Sequence, residues 1–204
     1  MTVKTAATCS GRPRSFDKKE ALKKALDLFW RNGYEGTSLA DLTKAMGINK
    51  PSLYAAFGNK EQLFLQAVDL YEECPGAYFY TSLQEKTAYL VVQTMLRGAA
   101  NRMANDEHPQ GCVVVQGALS CSEASTTIKE ALAERRVAGQ LRLQQRFEQA
   151  QQDGDLPKHV DAANLARYIG TVLQGMSVQA NNGASLEELY AITDMVLEHF
   201  PKAD

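Results

Sequence analysis

The stretch from Thr37 to Leu63, TSLADLTKAMGINKPSLYAAFGNKEQL, constrains the fold most, because it starts a helix three times within a short span. Thr37 or Ser38 is placed to cap the first, Asp41 falls in its first turn, and Leu39, Leu42 and Met46 repeat at helical spacing. Gly47 ends that helix. Asn49 is the next capping residue, and Pro51 falls in the following first turn, where a missing backbone N–H costs little. Leu53 and Phe57 give this second helix an inner face. Asn59 with Gln62 forms a capping box that opens a third helix. Two helices joined by a tight turn containing Gly make the helix-turn-helix pattern, whose second helix can lie in a DNA major groove.

The outward residues of the second helix agree with that pattern. Lys50, Ser52 and Tyr54 cannot all face inward with Leu53 and Phe57, so they present a cation, a hydroxyl and a phenol, groups that suit phosphates and base edges. Lys60 beside the next helix N-terminus makes a natural phosphate seat. The run Tyr54-x-x-Phe57-x-x-Lys60-Glu61-x-Leu63, preceded by Gly47 and Ile48, resembles the DNA-binding domain of TetR-family transcriptional regulators over roughly residues 16 to 64. The resemblance implies a homodimeric repressor of a pseudo-palindromic double-stranded DNA operator, released by a small-molecule effector. It also implies DNA contacts from Lys50, Pro51, Ser52 and Tyr54, with Thr37 and Lys60 on backbone phosphates.

Charge is divided along the chain. Residues 1–64 hold 11 Lys and Arg against 6 Asp and Glu, while the remainder holds 11 against 18, although the whole chain is only at −2. A basic module joined to an acidic one fits nucleic-acid binding at one end. Residues 1–15 read as a flexible basic arm whose Arg12 and Arg14 are placed to enter a minor groove. The resemblance implies that residues 16–64 form the helix-turn-helix domain and residues 65–204 a helical ligand-binding and dimerisation domain. The N-terminus lacks the apolar core of a secretion signal, and no run approaches the roughly 18 apolar residues of a membrane span, so a cytoplasmic protein without membrane contact is expected.

Ahead of the helix-turn-helix pair, Asp17 and Glu20 open a helix with the stripe Leu22, Leu26 and Phe29, ended by Gly33; Trp30 is expected in its packing. A fourth helix runs from Lys60 to about Glu73 and stops at Cys74-Pro75-Gly76. Beyond it no strand alternation occurs. Helices are expected over about Glu85 to Met103, Cys112 to Cys121, Ser125 to Gln152, Asp161 to Ala180, and Ser185 to His199, so the whole chain is all-α. The last two carry apolar stripes, Leu165, Ile169, Val172 or Leu173 and Met176 on one, and Leu186, Leu189, Val196 and Phe200 on the other. In the family this chain resembles, those two helices pair with their symmetry mates; the alternative is that the stripes face the subunit's own core.

The same resemblance places an effector among the middle helices, where Tyr89, Met95, Met103, Val114, Phe147, Tyr168 and Met176 are candidate lining residues or ordinary core. Among four cysteines no CxxC and no zinc-spaced Cys and His pair occurs, so neither a metal nor a cofactor is expected. Gly111-Cys112-Val113-Val114-Val115 resembles a branch of the family with cysteine-based sensors. Cys112 is either a redox or electrophile sensor, its thiolate favoured near a helix N-terminus, or a small buried hydrophobe. An enzyme on a helical bundle is the competing class, but there is no Glu-x-x-His pair, phosphate-cradling glycine loop or nucleophile elbow. A helical interaction adaptor is the other alternative, and the basic first 64 residues speak against it.

Overall fold

The computed structural model describes residues 16–105, 107–117 and 125–203, and among them it is built of helices with no strand. The capping signals open the first four. Asp17 accepts from the N–H groups of Lys19 and Glu20 at 2.8 and 3.1 Å and starts α1 (Lys18–Asn32). Ser38 and Asp41 form a reciprocal box at the start of α2 (Leu39–Met46). Asn49 accepts from the Ser52 N–H at 2.9 Å to start α3 (Lys50–Phe57), and Asn59 with Gln62 boxes the start of α4 (Lys60–Glu73). Each cap satisfies backbone donors that a helix start leaves bare. Gly47 ends α2 at φ 70° and ψ 29°, a left-handed conformation that disfavours any residue with a Cβ, and so fixes the sharp turn into α3.

Aromatic rings tie α1 to α4. Phe29 meets Phe64 edge-on at 5.0 Å, Tyr34 meets Phe64 at 5.3 Å, and Trp30 meets Tyr71 at 4.7 Å. Leu42, Met46, Leu53 and Phe57 fill the remaining space from α2 and α3. Burying each such side chain contributes about 1.5–3 kcal/mol, which lets a small three-helix unit hold together when α4 closes it. α4 runs unbroken through residue 64, so one rigid rod belongs both to the helix-turn-helix part and to the larger helical bundle.

Past Cys74 the structure departs from the sequence expectation in three places. A five-residue helix, α5 (Tyr78–Ser82), comes after the Pro-Gly break; it is too short to show a stripe. α6 (Ala88–Met103) starts where Thr87 accepts from the Leu90 N–H, later than the expected Glu85. The helix expected over Cys112–Cys121 is the single turn α7 (Val113–Gln116), and residues 118–124 lie outside the described residues. The long α8 (Thr126–Gln152), α9 (Ala162–Asn181) and α10 (Leu186–Glu198) complete the bundle. α8 packs along α9, α6 lies against α5, α9 and α10, and α7 is wedged among α1, α4, α8 and α9.

The two ends of the chain are joined by polar contacts. Arg135 of α8 donates to Asp69 at 2.6 Å and to Glu72, both on α4. The Tyr34 N–H donates to the Gly117 carbonyl at 3.2 Å, and the Ser125 hydroxyl to the Glu35 carboxylate at 2.5 Å.

Candidate nucleic-acid interface and buried cavity

On α3 the inward face is closed by Leu53 and Phe57, 0% and 3% exposed, and the outward face is polar. Lys50, Pro51, Tyr54 and Ala55 are exposed, Tyr54 at 48%, and Ser52 is half-buried. Lys60, half-buried at the start of α4, lies 4.2 Å over the Tyr34 ring, and Lys18 lies 5.2 Å over Phe57, so both cations stand next to the helix-turn-helix pair. Thr37 needs correction. It is fully buried, and its hydroxyl donates to the carbonyls of Gly33 at 2.8 Å and Leu28 at 3.4 Å; it braces the turn before α2 instead of presenting its side chain to a phosphate. Ser38 is the residue that caps α2. Arg12 and Arg14 lie outside the described residues.

A cavity of about 120 Å³ opens where α4, α5, α7, α8 and α9 meet. Tyr71, Tyr78, Phe79, Cys112 and Arg136 stand in its wall together with Met103 and Val114. Of the lining residues expected from sequence, those last two reach it. Tyr89 instead packs against Phe200 at 6.1 Å, as does Phe147 at 6.3 Å, Met95 and Met176 are fully buried elsewhere in the bundle, and Tyr168 is 51% exposed on α9. Sequence reasoning misses Tyr71, Tyr78 and Arg136. Tyr71 sits on the apolar stripe of α4 and reads as core, Tyr78 lies just past the break, and Arg136 belongs to a long polar helix; no local signal brings them together.

Electrostatics in this cavity are set by burial. Desolvation pushes the Tyr71 and Tyr78 hydroxyls well above their ordinary values and lowers the guanidinium of Arg136. It also pushes the Cys112 thiol up, against the opposing pull of the Tyr71 hydroxyl and the backbone N–H groups of Val115 and Val114. The thiolate expected from a helix N-terminus is therefore corrected: α7 is one turn long, and burial outweighs it. Cys112 is 7% exposed, and its own N–H donates to the Ser177 hydroxyl at 2.9 Å. Cys74 is exposed, and Cys9 and Cys121 lie outside the described residues. No group of His, Cys, Asp and Glu placed to hold a metal occurs among the described residues. Among them, too, no helix is long and apolar enough to cross a membrane.

On the C-terminal helices most of the apolar stripe turns inward. Ile169, Met176, Leu189, Val196 and Phe200 are buried within the subunit. The apolar residues left exposed are Tyr168 and Val178 on α9 and Leu186 and Met195 on α10, the last at 66%, with Val137 and Leu141 on α8. Gly170 and Gly175 have open space where a Cβ would stand, so a second helix can approach α9 closely there.

Comparison with known proteins agrees with this geometry. Residues 15–67 match the family model described as bacterial regulatory proteins, tetR family, and residues 92–190 match the tetracyclin repressor-like C-terminal domain. The chain is 38% identical over 194 residues to the HTH-type transcriptional repressor ComR of Escherichia coli K12, covering 94% of this chain and 92% of that protein. It is 30% identical over 202 residues to the repressor BdcR of the same organism, covering 97% and 96%. Among solved structures, a cysteine mutant of the TetR family transcriptional regulator CifR, complexed with a 26-base-pair double-strand operator DNA, superposes with a TM-score of 0.90 at 41% identity, covering 94% of this chain and all of that one. The chain belongs to the TetR family of bacterial regulatory proteins.

Proposed function

We propose that the chain is a homodimeric transcriptional repressor that reads a pseudo-palindromic operator through α3 and leaves it when a small molecule occupies the cavity. The observation that carries this reading is the division of labour on α3, a closed apolar inner face and an outer face of Lys50, Pro51, Ser52 and Tyr54. In this reading Lys60 holds a backbone phosphate, Arg12 and Arg14 of the 1–15 arm reach a minor groove, residues 16–64 form the DNA-reading unit, and residues 65–204 form the effector and dimer unit. Exposed Tyr168, Val178, Leu186 and Met195 supply the contact between copies through α9 and α10. Twofold pairing presents two copies of α3 to two half-sites, which explains the pseudo-palindrome. Family membership sets aside the enzyme reading.

The lever is α4. Tyr71 and Glu72 near its C-terminal end line the cavity, while its N-terminal end packs on α3. A ligand that favours one tilt of α4 changes the spacing of the two recognition helices, provided that it binds the DNA-incompetent tilt more tightly. A second reading, a repressor switched by oxidation or alkylation of Cys112, is favoured by the position of that thiol in the cavity wall. Selection of duplexes from a random pool at modest salt tests the main reading. A recovered inverted repeat bound by a dimer supports it, and failure to enrich any sequence overturns it. Unchanged operator affinity after complete alkylation of Cys112 removes the second reading.

A further inference from the structure

Three of the five buried side-chain atoms that find no hydrogen-bond partner among the described residues fall in one place, Trp30 Nε1 and Nε and Nη2 of Arg102, and the buried Tyr71 hydroxyl beside them faces only the thiol of Cys112. The Trp30 ring meets Tyr71 edge-on at 4.7 Å and lies 4.7 Å from the Arg102 guanidinium. All of these atoms offer a proton, and a buried donor without an acceptor costs folding free energy. What the cluster lacks is a strong acceptor, since a thiol sulfur is a weak one.

The cavity wall extends the same imbalance. Tyr71, Tyr78 and Arg136 stand together in its wall. The carboxylate that lines the cavity, Glu72, is taken by Arg135. Arg136 donates one Nη to the Val114 carbonyl, and neither it nor Arg102 has a carboxylate within ion-pair distance among the described residues. Burial lowers the affinity of both guanidinium groups for their protons, as expected of cations held from water without a counter-ion. The rest of the lining is largely apolar, with Phe79, Leu143 and Leu173 in the same wall.

We propose that this cavity takes a small organic acid, a single apolar ring or short chain bearing one carboxylate, with its oxygens bonded by Tyr71 and Arg136 and its body against Phe79, Leu143 and Leu173. The proposal rests on the effector reading above and supplies the chemical class of that effector. The cavity is small, about 120 Å³ against the roughly 150 Å³ of a dry cavity that takes benzene, but it is partly open, so a ring need not lie wholly inside it. Because Tyr71 belongs to α4 and Arg136 to α8, one bound carboxylate ties the helix that carries the DNA-reading pair to the bundle behind it.

The test uses the full-length dimer without DNA, titrated calorimetrically with sodium benzoate. Benzyl alcohol and benzylamine provide the same ring in neutral and cationic form, and sodium acetate matches ionic strength. Benzoate is expected to bind at least tenfold more tightly than benzyl alcohol, with benzylamine and acetate silent. Tyr71→Phe and Arg136→Gln are each expected to weaken benzoate about tenfold. Equal binding of benzyl alcohol, benzoate no better than acetate, or a Tyr71→Phe protein that binds benzoate as before would each overturn the proposal. If Arg136→Gln does not fold, Tyr71→Phe decides alone. Binding is read here without DNA, so its failure leaves the operator reading standing, and failure of duplex selection leaves the benzoate result standing.

Discussion

The helix-turn-helix pair and the cavity lie along the same rod, α4, yet they are made in opposite ways. The first is assembled from neighbours in sequence, with Ser38, Gly47, Asn49, Gly58 and Asn59 setting its boundaries within a few residues. The second is assembled from side chains of α4, α5, α7, α8 and α9, far apart along the chain. A locally coded surface keeps its shape when the rest of the bundle shifts, which suits a reader of fixed DNA geometry. A site gathered from distant helices changes shape whenever those helices move, which suits a switch.

The largest effect that can break this contrast is expected at Phe64, which packs against Phe29 and Tyr34 on the shared rod. Phe64→Ala should cost about 3–5 kcal/mol and lower the stability of both regions together in a denaturant melt. Separate transitions for the two regions would show that α4 does not couple them. At Ser52 the effect should be confined to DNA. Ser52→Ala should change the preferred base in a competition assay, at about 1–3 kcal/mol of discrimination, while melting stays unchanged. Asn49→Ala removes the cap of α3 and should cost about 1 kcal/mol of stability, with benzoate binding unaffected in calorimetry.

Two smaller effects sharpen the contrast. Lys60→Ala should weaken binding to all duplexes alike and flatten the salt dependence by about one phosphate. An unchanged slope would remove Lys60 from the phosphate contacts. At Asp41, hydrogen bonds from the Ser38 side chain and backbone N–H hold the carboxyl below the ordinary carboxylate range. A depressed folded-state value stabilises the protein above the unfolded pKa, about 3.9, and that contribution is lost as pH falls through the folded value. Acid titration of Ser38→Ala by circular dichroism should therefore lose less stability on its acid limb than the parent.

Legibility tracks the range of the interactions. α4 begins and ends at the residues expected, Lys60 and Glu73, because its box and the Pro75-Gly76 stop are local. α5 leaves no trace in the sequence because five residues carry no period, and α7 reads too long because the apolar run Val113-Val114-Val115 signals burial without fixing where a helix stops. Thr37 reads as outward since a Thr ahead of a helix resembles a cap; the neighbouring Ser38 takes that place, and the Thr37 hydroxyl turns in to Gly33. Met103 and Val114 reach the cavity while Tyr89, Met95, Phe147 and Met176 pack elsewhere and Tyr168 is exposed, since apolar residues at helical spacing look alike whether they face a core, a void or solvent.

By itself the sequence determined an all-α chain, its helix-turn-helix element, the outward set on α3, and the family to which these belong, because caps, turns and amphipathic periodicity act over a few residues and are written in their order. Only the tertiary structure decided that Tyr71, Tyr78, Cys112 and Arg136 share one cavity, that the stripes of α9 and α10 turn largely inward, and that Nε and Nη2 of Arg102 stand without an acceptor among the described residues. Those are consequences of packing between helices far apart in the chain, where burial and the choice of neighbours are set by which faces meet.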